Sequence, residues 1–218
     1  MTRIDVTNDV RIIAPRAALL AIFEECDRFD KDENGGRLIG TYAENEGDFT
    51  ITVEGVIGPG PNAKRSPVRF LQDGEYQEGV FRQIEQRCPK IEHLGNWHTH
   101  HVNGLSTLSE GDIATYRRIV NHPSHNTSFF YALLVVAKNP GRLAYDKYSV
   151  RHYVFRRGDS RVYQIPESRI DLVDRPILWP PTAERTSHTG TVSLPPTDSG
   201  ARPERVLDRD VLAEFFPA

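Results

Sequence analysis

The chain turns on two neighbouring stretches, Asn96-Trp97-His98-Thr99-His100-His101 and Leu105-Ser106-Thr107-Leu108-Ser109-Glu110-Gly111-Asp112. Residues 91–98 read as a strand running into a turn. In extended backbone the side chains alternate with period two, so His98 and His100 project on the same side. Two neutral imidazoles aimed at one point are half of a zinc site. A catalytic zinc takes a third protein ligand and leaves its fourth position to water. Asp112 is the candidate third ligand. Ser109 stands where an N-cap belongs, and Asp112 falls on the first turn of the helix marked by Ile113, Tyr116, Ile119 and Val120. Taken alone, Ser109 and Asp112 are a capping box, and a single histidine on a strand is usually a satisfied core or surface residue. The combination favours a metal site, because a carboxylate on a first helical turn is rigidly aimed and can face the strand end.

Working outward, the sequence predicts a sheet with helices on its faces. Pro15 suits the first turn of a helix, and Leu19, Leu20, Phe23 and Cys26 recur at helical spacing to about Phe29. The polar run 30–36 breaks that helix and leads into a short strand at 37–42. Phe49, Ile51 and Val53 alternate with Thr50 and Thr52, the period of a half-buried strand. Gly58-Pro59-Gly60-Pro61 is a loop by composition, and extended structure resumes at 68–71. Val80, Phe81, Ile84 and Cys88 mark a second helix, stopped by Pro89, and the third helix ends near His122-Pro123. Residues 129–137 form an apolar, β-branched run long enough for a central strand. A further strand spans 143–156, and Gly158-Asp159-Ser160 turns it into a hairpin with 162–165.

Composition limits the function classes. The net charge is −3 over 218 residues and the basic residues are scattered, so the footprint of a nucleic-acid binder is missing. No apolar run approaches the ~20 residues needed to span a bilayer, and residues 1–10 lack the pattern of a secretory signal. The expectation is a cytoplasmic protein without membrane or nucleic-acid partners. Cys26 and Cys88, far apart and each in an expected helix, read as small buried hydrophobes. Three regions are expected: a domain over residues 1–175, a Pro/Ser/Thr-rich linker over 176–203, and a short amphipathic helix over 204–218. The linker is too poor in large apolar residues to offset its ordering entropy. Val206, Leu207, Val211, Leu212 and Phe215 give the last helix a stripe expected to dock on the domain or on a partner.

His98-Thr99-His100 with Ser109-x-x-Asp112 resembles the JAMM motif of the JAB1/MPN/Mov34 metalloproteases. Glu33-Asn34-Gly35-Gly36-Arg37-Leu38-Ile39-Gly40 resembles the segment of the same family that carries its upstream glutamate. The resemblance spans about residues 10–165. It implies the MPN fold, a curved mixed α/β (α+β) sheet flanked by helices and related to cytidine deaminases. It also implies one zinc per chain held by His98, His100 and Asp112, with Glu33 as acid/base and Ser109 as transition-state donor. Glu24 and Glu25 are weaker candidates for the base because they fall inside the first helix. The chain departs from the family in having His101 in place of the usual proline, and in one extra residue between His100 and Asp112. His101 is therefore a rival third ligand or a substrate contact, and Trp97 is a core residue or part of a substrate wall.

Family members of this type are most often isopeptidases. The resemblance implies removal or processing of a ubiquitin-like protein by a stand-alone prokaryotic-type enzyme, within a conjugation or anti-phage defence system whose machinery would be a further partner. Three alternatives stay open. These are a hydrolase that releases a small molecule or a sulfur carrier, an inert MPN scaffold, and a relative associated with DNA repair. The acidic balance weighs against the last.

Overall fold

A computed structural model describes residues 9–45, 48–101, 105–138 and 147–178. The chain order is β1 (Val10–Pro15), α1 (Arg16–Arg28), β2 (Gly35–Asn45), β3 (Asp48–Ile57), β4 (Lys64–Ser66), β5 (Arg69–Leu71) and α2 (Gly74–Arg87). It continues through β6 (Glu92–His100), α3 (Glu110–Asn121), β7 (Phe129–Ala137), β8 (Tyr148–Arg156), β9 (Tyr163–Ile165), a 3₁₀ turn (Glu167–Arg169) and β10 (Ile170–Val173). Eight strands form one mixed sheet in the order β10-β1-β3-β2-β6-β7-β8-β9, and β4 pairs with β5 in a separate hairpin. The sheet is curved, nearly to a barrel. Strand β6 lies antiparallel to β2 and parallel to β7.

Helices cover both faces. Ala18, Leu19, Ile22, Phe23 and Cys26 of α1 pack with Val10, Ile12, Phe49, Ile51, Val53, Trp97, Tyr131 and Leu133. On the other face, Tyr116, Ile119 and Val120 of α3 pack on Phe130, Ala132, Leu134, Tyr153 and Phe155, while α2 covers Ile39, Ile57 and Ile91 with Val80, Phe81 and Ile84. Burial on both faces explains why β7 is a continuous apolar run instead of an alternating one. Each fully buried large side chain of this strand contributes roughly 1.5–3 kcal/mol relative to an exposed one.

Several expected elements needed correction. Pro15 does not sit in the first helical turn; it ends β1 and is the N-cap of α1, with φ −66 and ψ 136. Strands β1 and β10 were not expected at all. Val10-Arg11-Ile12-Ile13-Ala14-Pro15 runs straight into a helix with no turn residue, and its pairings with β3 and β10 are parallel and distant in sequence. The short β4 was also missed, and β2 begins at Gly35 and continues to Asn45. Cys26 is buried in α1, whereas Cys88 caps the C-terminus of α2 and is half-buried; both are free thiols. Packing extends past residue 175, because Ile177 and Leu178 touch the core and Leu178 N–H donates to the Glu54 carbonyl at 2.8 Å. The expected strand start at 143–146, and both the linker after Leu178 and the terminal helix, lie outside the described residues. No helix among the described residues is long and apolar enough to cross a membrane.

Candidate metal centre

Strand β6 carries His98 and His100 on the face covered by α3, with Trp97 on the opposite face, fully buried in the core. Trp97 is therefore a core residue. The approach beneath it is tight: a Cβ on Gly36 would stand 2.1 Å from the Ile57 carbonyl oxygen and 2.6 Å from Trp97 Nε1. A side chain at position 36 would collide with β3 and with the indole, so β2 needs glycine here.

Helix α3 supplies the third group. Ser109 caps it, its hydroxyl accepting the Asp112 N–H at 3.1 Å, while Asp112 Oδ2 accepts from Ser109 N–H at 2.8 Å and from the Ser109 hydroxyl at 2.7 Å. The capping box is thus present, and it also aims the carboxylate. His98 Nε2 and His100 Nε2 lie 3.3 Å apart, and Asp112 Oδ2 is 3.5 Å from the first and 3.4 Å from the second. These three are a group whose ligand atoms could hold a metal ion. The imidazoles are nearly closed off from solvent, at 10% and 2% side-chain exposure, and Asp112 is more open at 24%.

Each imidazole is oriented from behind. Tyr116 Oη lies 3.0 Å from His98 Nδ1, and the Leu105 carbonyl lies 3.3 Å from His100 Nδ1. With both Nδ1 atoms protonated and donating to these oxygens, both Nε2 lone pairs face the cluster, the tautomer that a metal site needs. Without a metal the cluster is held by charge. Burial opposes ionisation of Asp112, yet hydrogen bonds from His100 and His98 keep its carboxyl well below the usual range. Burial likewise opposes protonation of His100, but Asp112 and the Glu33 charge together raise its pKa.

Glu33 comes from the loop entering β2. Its N–H donates to the Ser66 carbonyl of the β4–β5 hairpin at 2.9 Å. Next to it, Asn34 N–H donates to Thr99 Oγ1 at 2.8 Å and Thr99 N–H donates to the Asn34 carbonyl at 2.9 Å. Gly35 pairs with His98, so continuing that register carries Glu33 alongside His100. Its negative charge is felt at both His100 and Tyr116. Glu25 is part of the support behind this segment: it is buried in α1, accepts from Asn34 Nδ2 at 3.4 Å and lies 3.9 Å from Arg65 Nη2.

His101 is not part of the cluster. Its ring packs edge-on to Tyr148 at 6.0 Å, and burial, followed by the charge of Lys147, lowers its pKa. One position along a strand end turns a side chain to the opposite side, which separates His101 from His98 and His100. Sequence reasoning missed Tyr116, Thr99, Asn34 and Arg65 as supports. Tyr116 read only as a helix core residue; its position four residues after Asp112, on the same helical face, was the available signal. A groove of about 540 Å³ opens beside the cluster, lined in part by His100, His101, Leu105, Ser106, Val136 and Arg151.

The fold and site together define a mixed α/β protein with a His-His-Asp cluster suited to a cation. No family model matches the sequence, and no curated protein matches it. Among solved structures the chain is similar to the solution structure of protein DSY2949 from Desulfitobacterium hafniense. The TM-score is 0.54 at 17% identity, covering 75% of this chain and 94% of that one. At that identity the likeness is one of fold.

Proposed function

We propose that the chain is a zinc-dependent amide hydrolase of the JAMM type, acting as an isopeptidase on a ubiquitin-like protein or its conjugate. The observation that carries the zinc reading is the donor triangle with edges of 3.3, 3.4 and 3.5 Å. In a regular tetrahedron the edge is about 1.63 times the centre-to-vertex length. Zinc bonds of about 2.0–2.1 Å therefore call for edges of about 3.3–3.4 Å. Two nitrogens and one carboxylate oxygen, with both histidines supported through their second nitrogen, are the donor set of a catalytic zinc site with an open position. The isopeptidase part rests on the motif resemblance at Glu33, His98, His100, Ser109 and Asp112.

His98, His100 and Asp112 would hold the zinc, which when bound would supply an acidified water and polarise the scissile carbonyl. The chain's own residues do the rest. Glu33, outside the ligand set, takes the water proton and returns a proton to the departing amine. Asp112 and Ser109 share a hydrogen bond, so the Ser109 hydroxyl must turn from Oδ2 to donate to the carbonyl oxygen as charge builds there. Ser109 N–H stays on Oδ2 and keeps the carboxylate aimed.

The test is Glu33→Gln, assayed on a ubiquitin-like protein joined to a lysine ε-amine through its C-terminal glycine. The variant should keep its zinc by elemental analysis and lose turnover by roughly 10²–10⁴-fold. Wild-type turnover in the variant would remove Glu33 from the mechanism, and a zinc-loaded wild type that leaves the isopeptide bond intact would remove the isopeptidase reading.

A further inference from the structure

The sheet register carries the metal cluster's face across to Arg151. His98 pairs with Leu134 on β7, and Leu134 pairs with Arg151 on β8. His100 pairs with Val136, which pairs with Ser149. Directly paired residues of neighbouring strands project on the same face, so Arg151 stands on the ligand face, two strands from His98. At about 4.8 Å per strand that is about 10 Å.

Arg151 also lies at an open edge. Pairing of β9 with β8 begins at His152 opposite Ile165, so the backbone of β8 before His152 has no β9 neighbour. The groove beside the metal cluster runs over this corner, lined by Leu105, Val136, Val150, Ile165 and Arg151 among others. Its charged lining is Lys138, Arg151 and Glu167, with His100, His101 and His152; His152, pushed down to about 4 by burial, is neutral at pH 7. Among the described residues Arg151 has neither a carboxylate partner nor a hydrogen-bond acceptor, and its Nε is buried. A half-buried guanidinium with no acceptor among the described residues, in a mixed polar and apolar groove beside the His-His-Asp cluster, is suited to receive an anion.

We propose that this groove is a specificity subsite for an acidic peptide substrate, with Arg151, two strands from His98, receiving a side-chain carboxylate while the scissile bond lies at the metal. The inference rests on the metal-hydrolase reading of His98, His100 and Asp112. It deepens that reading by naming a substrate feature, the carboxylate, that selects what enters.

The test needs no natural substrate. Linear α,ω-dicarboxylates from hexanedioate to dodecanedioate are titrated calorimetrically into the zinc-loaded full chain, each beside the monocarboxylate of equal length. One end of the diacid meets the metal and the other reaches Arg151. A diacid of matching length should bind about tenfold tighter than its monoacid. Arg151→Met, which keeps the apolar body, should abolish the difference, and Arg151→Lys should keep part of it. Equal affinities in the wild-type protein at every length, or no binding of either acid, would overturn the proposal. So would a diacid preference that survives Arg151→Met; its loss in Lys138→Met would then assign it to Lys138. Monoacid binding that is indifferent to zinc would contradict the metal reading instead, and it is read separately from the Arg151 comparison.

Discussion

Tyr116→Phe removes one oxygen and leaves the ring. The ring stacks on Phe130 at 5.0 Å and meets Phe155 edge-on at 5.5 Å, and phenylalanine preserves both contacts. What disappears is the acceptor 3.0 Å from His98 Nδ1, in a buried environment where burial, with the Asp112 and Glu33 charges, holds the phenol well above its usual pKa. In the zinc-loaded protein His98 Nδ1 must stay protonated, so the variant leaves a buried N–H without its partner. That costs about 1–3 kcal/mol, which corresponds to a zinc affinity weaker by roughly 10–100-fold. The assay is competition for zinc against a chromophoric chelator, with the melting temperature of the metal-free protein measured in parallel. The metal-free variant should lose less, because His98 can there adopt the other tautomer. Zinc affinity within twofold of wild type would refute the argument that Tyr116 fixes the tautomer of His98.

Ser109→Ala deletes a helix cap and an Asp112 anchor together; it should lower stability by ~1 kcal/mol in thermal melts and also weaken zinc binding, and unchanged values for both would contradict the capping geometry. His152 is buried neutral, stacked on Tyr131 with the Tyr131 hydroxyl 2.6 Å from Nδ1, and its pKa falls from an ordinary 6.5 to about 4. The unfolded chain therefore binds the extra proton first, so stability is complete above pH 6.5 and declines as pH falls toward 4, by about 3 kcal/mol from this residue. Urea titrations across that window should show a smaller decline in His152→Gln, and identical slopes would remove His152 as the cause. Gly36→Ala places a Cβ against the Ile57 carbonyl and the Trp97 indole; it should yield little folded protein by circular dichroism, and a wild-type melt would show that β2 can shift.

The sequence made the site legible because its decisive signals are local. His98 and His100 are two residues apart on one strand, and Ser109 with Asp112 is a capping box, so alternation and helix geometry account for the aim of all three side chains of the cluster. The motif at Glu33 pointed to the loop before β2, but what places that loop beside the histidines is not local. Only the antiparallel register of Gly35 with His98, with Asn34 tied to Thr99, carries Glu33 across. The same distinction runs through the fold. Strand β7 announces itself by nine apolar or aromatic residues in a row, whereas β1 and β10 exist through parallel pairing between residues about 160 positions apart, which no short window reveals. Arg151 likewise becomes notable only when two strand pairings align it with His98.

The central claim is that His98, His100 and Asp112 hold one zinc per chain. Elemental analysis of the purified full chain, run beside four variants, tests it most directly. Wild type and His101→Ala should each carry close to one zinc, because His101 packs on Tyr148 outside the cluster, while His98→Ala, His100→Ala and Asp112→Ala should each carry little. Stoichiometric zinc in His98→Ala, or its loss in a folded His101→Ala, would contradict the account.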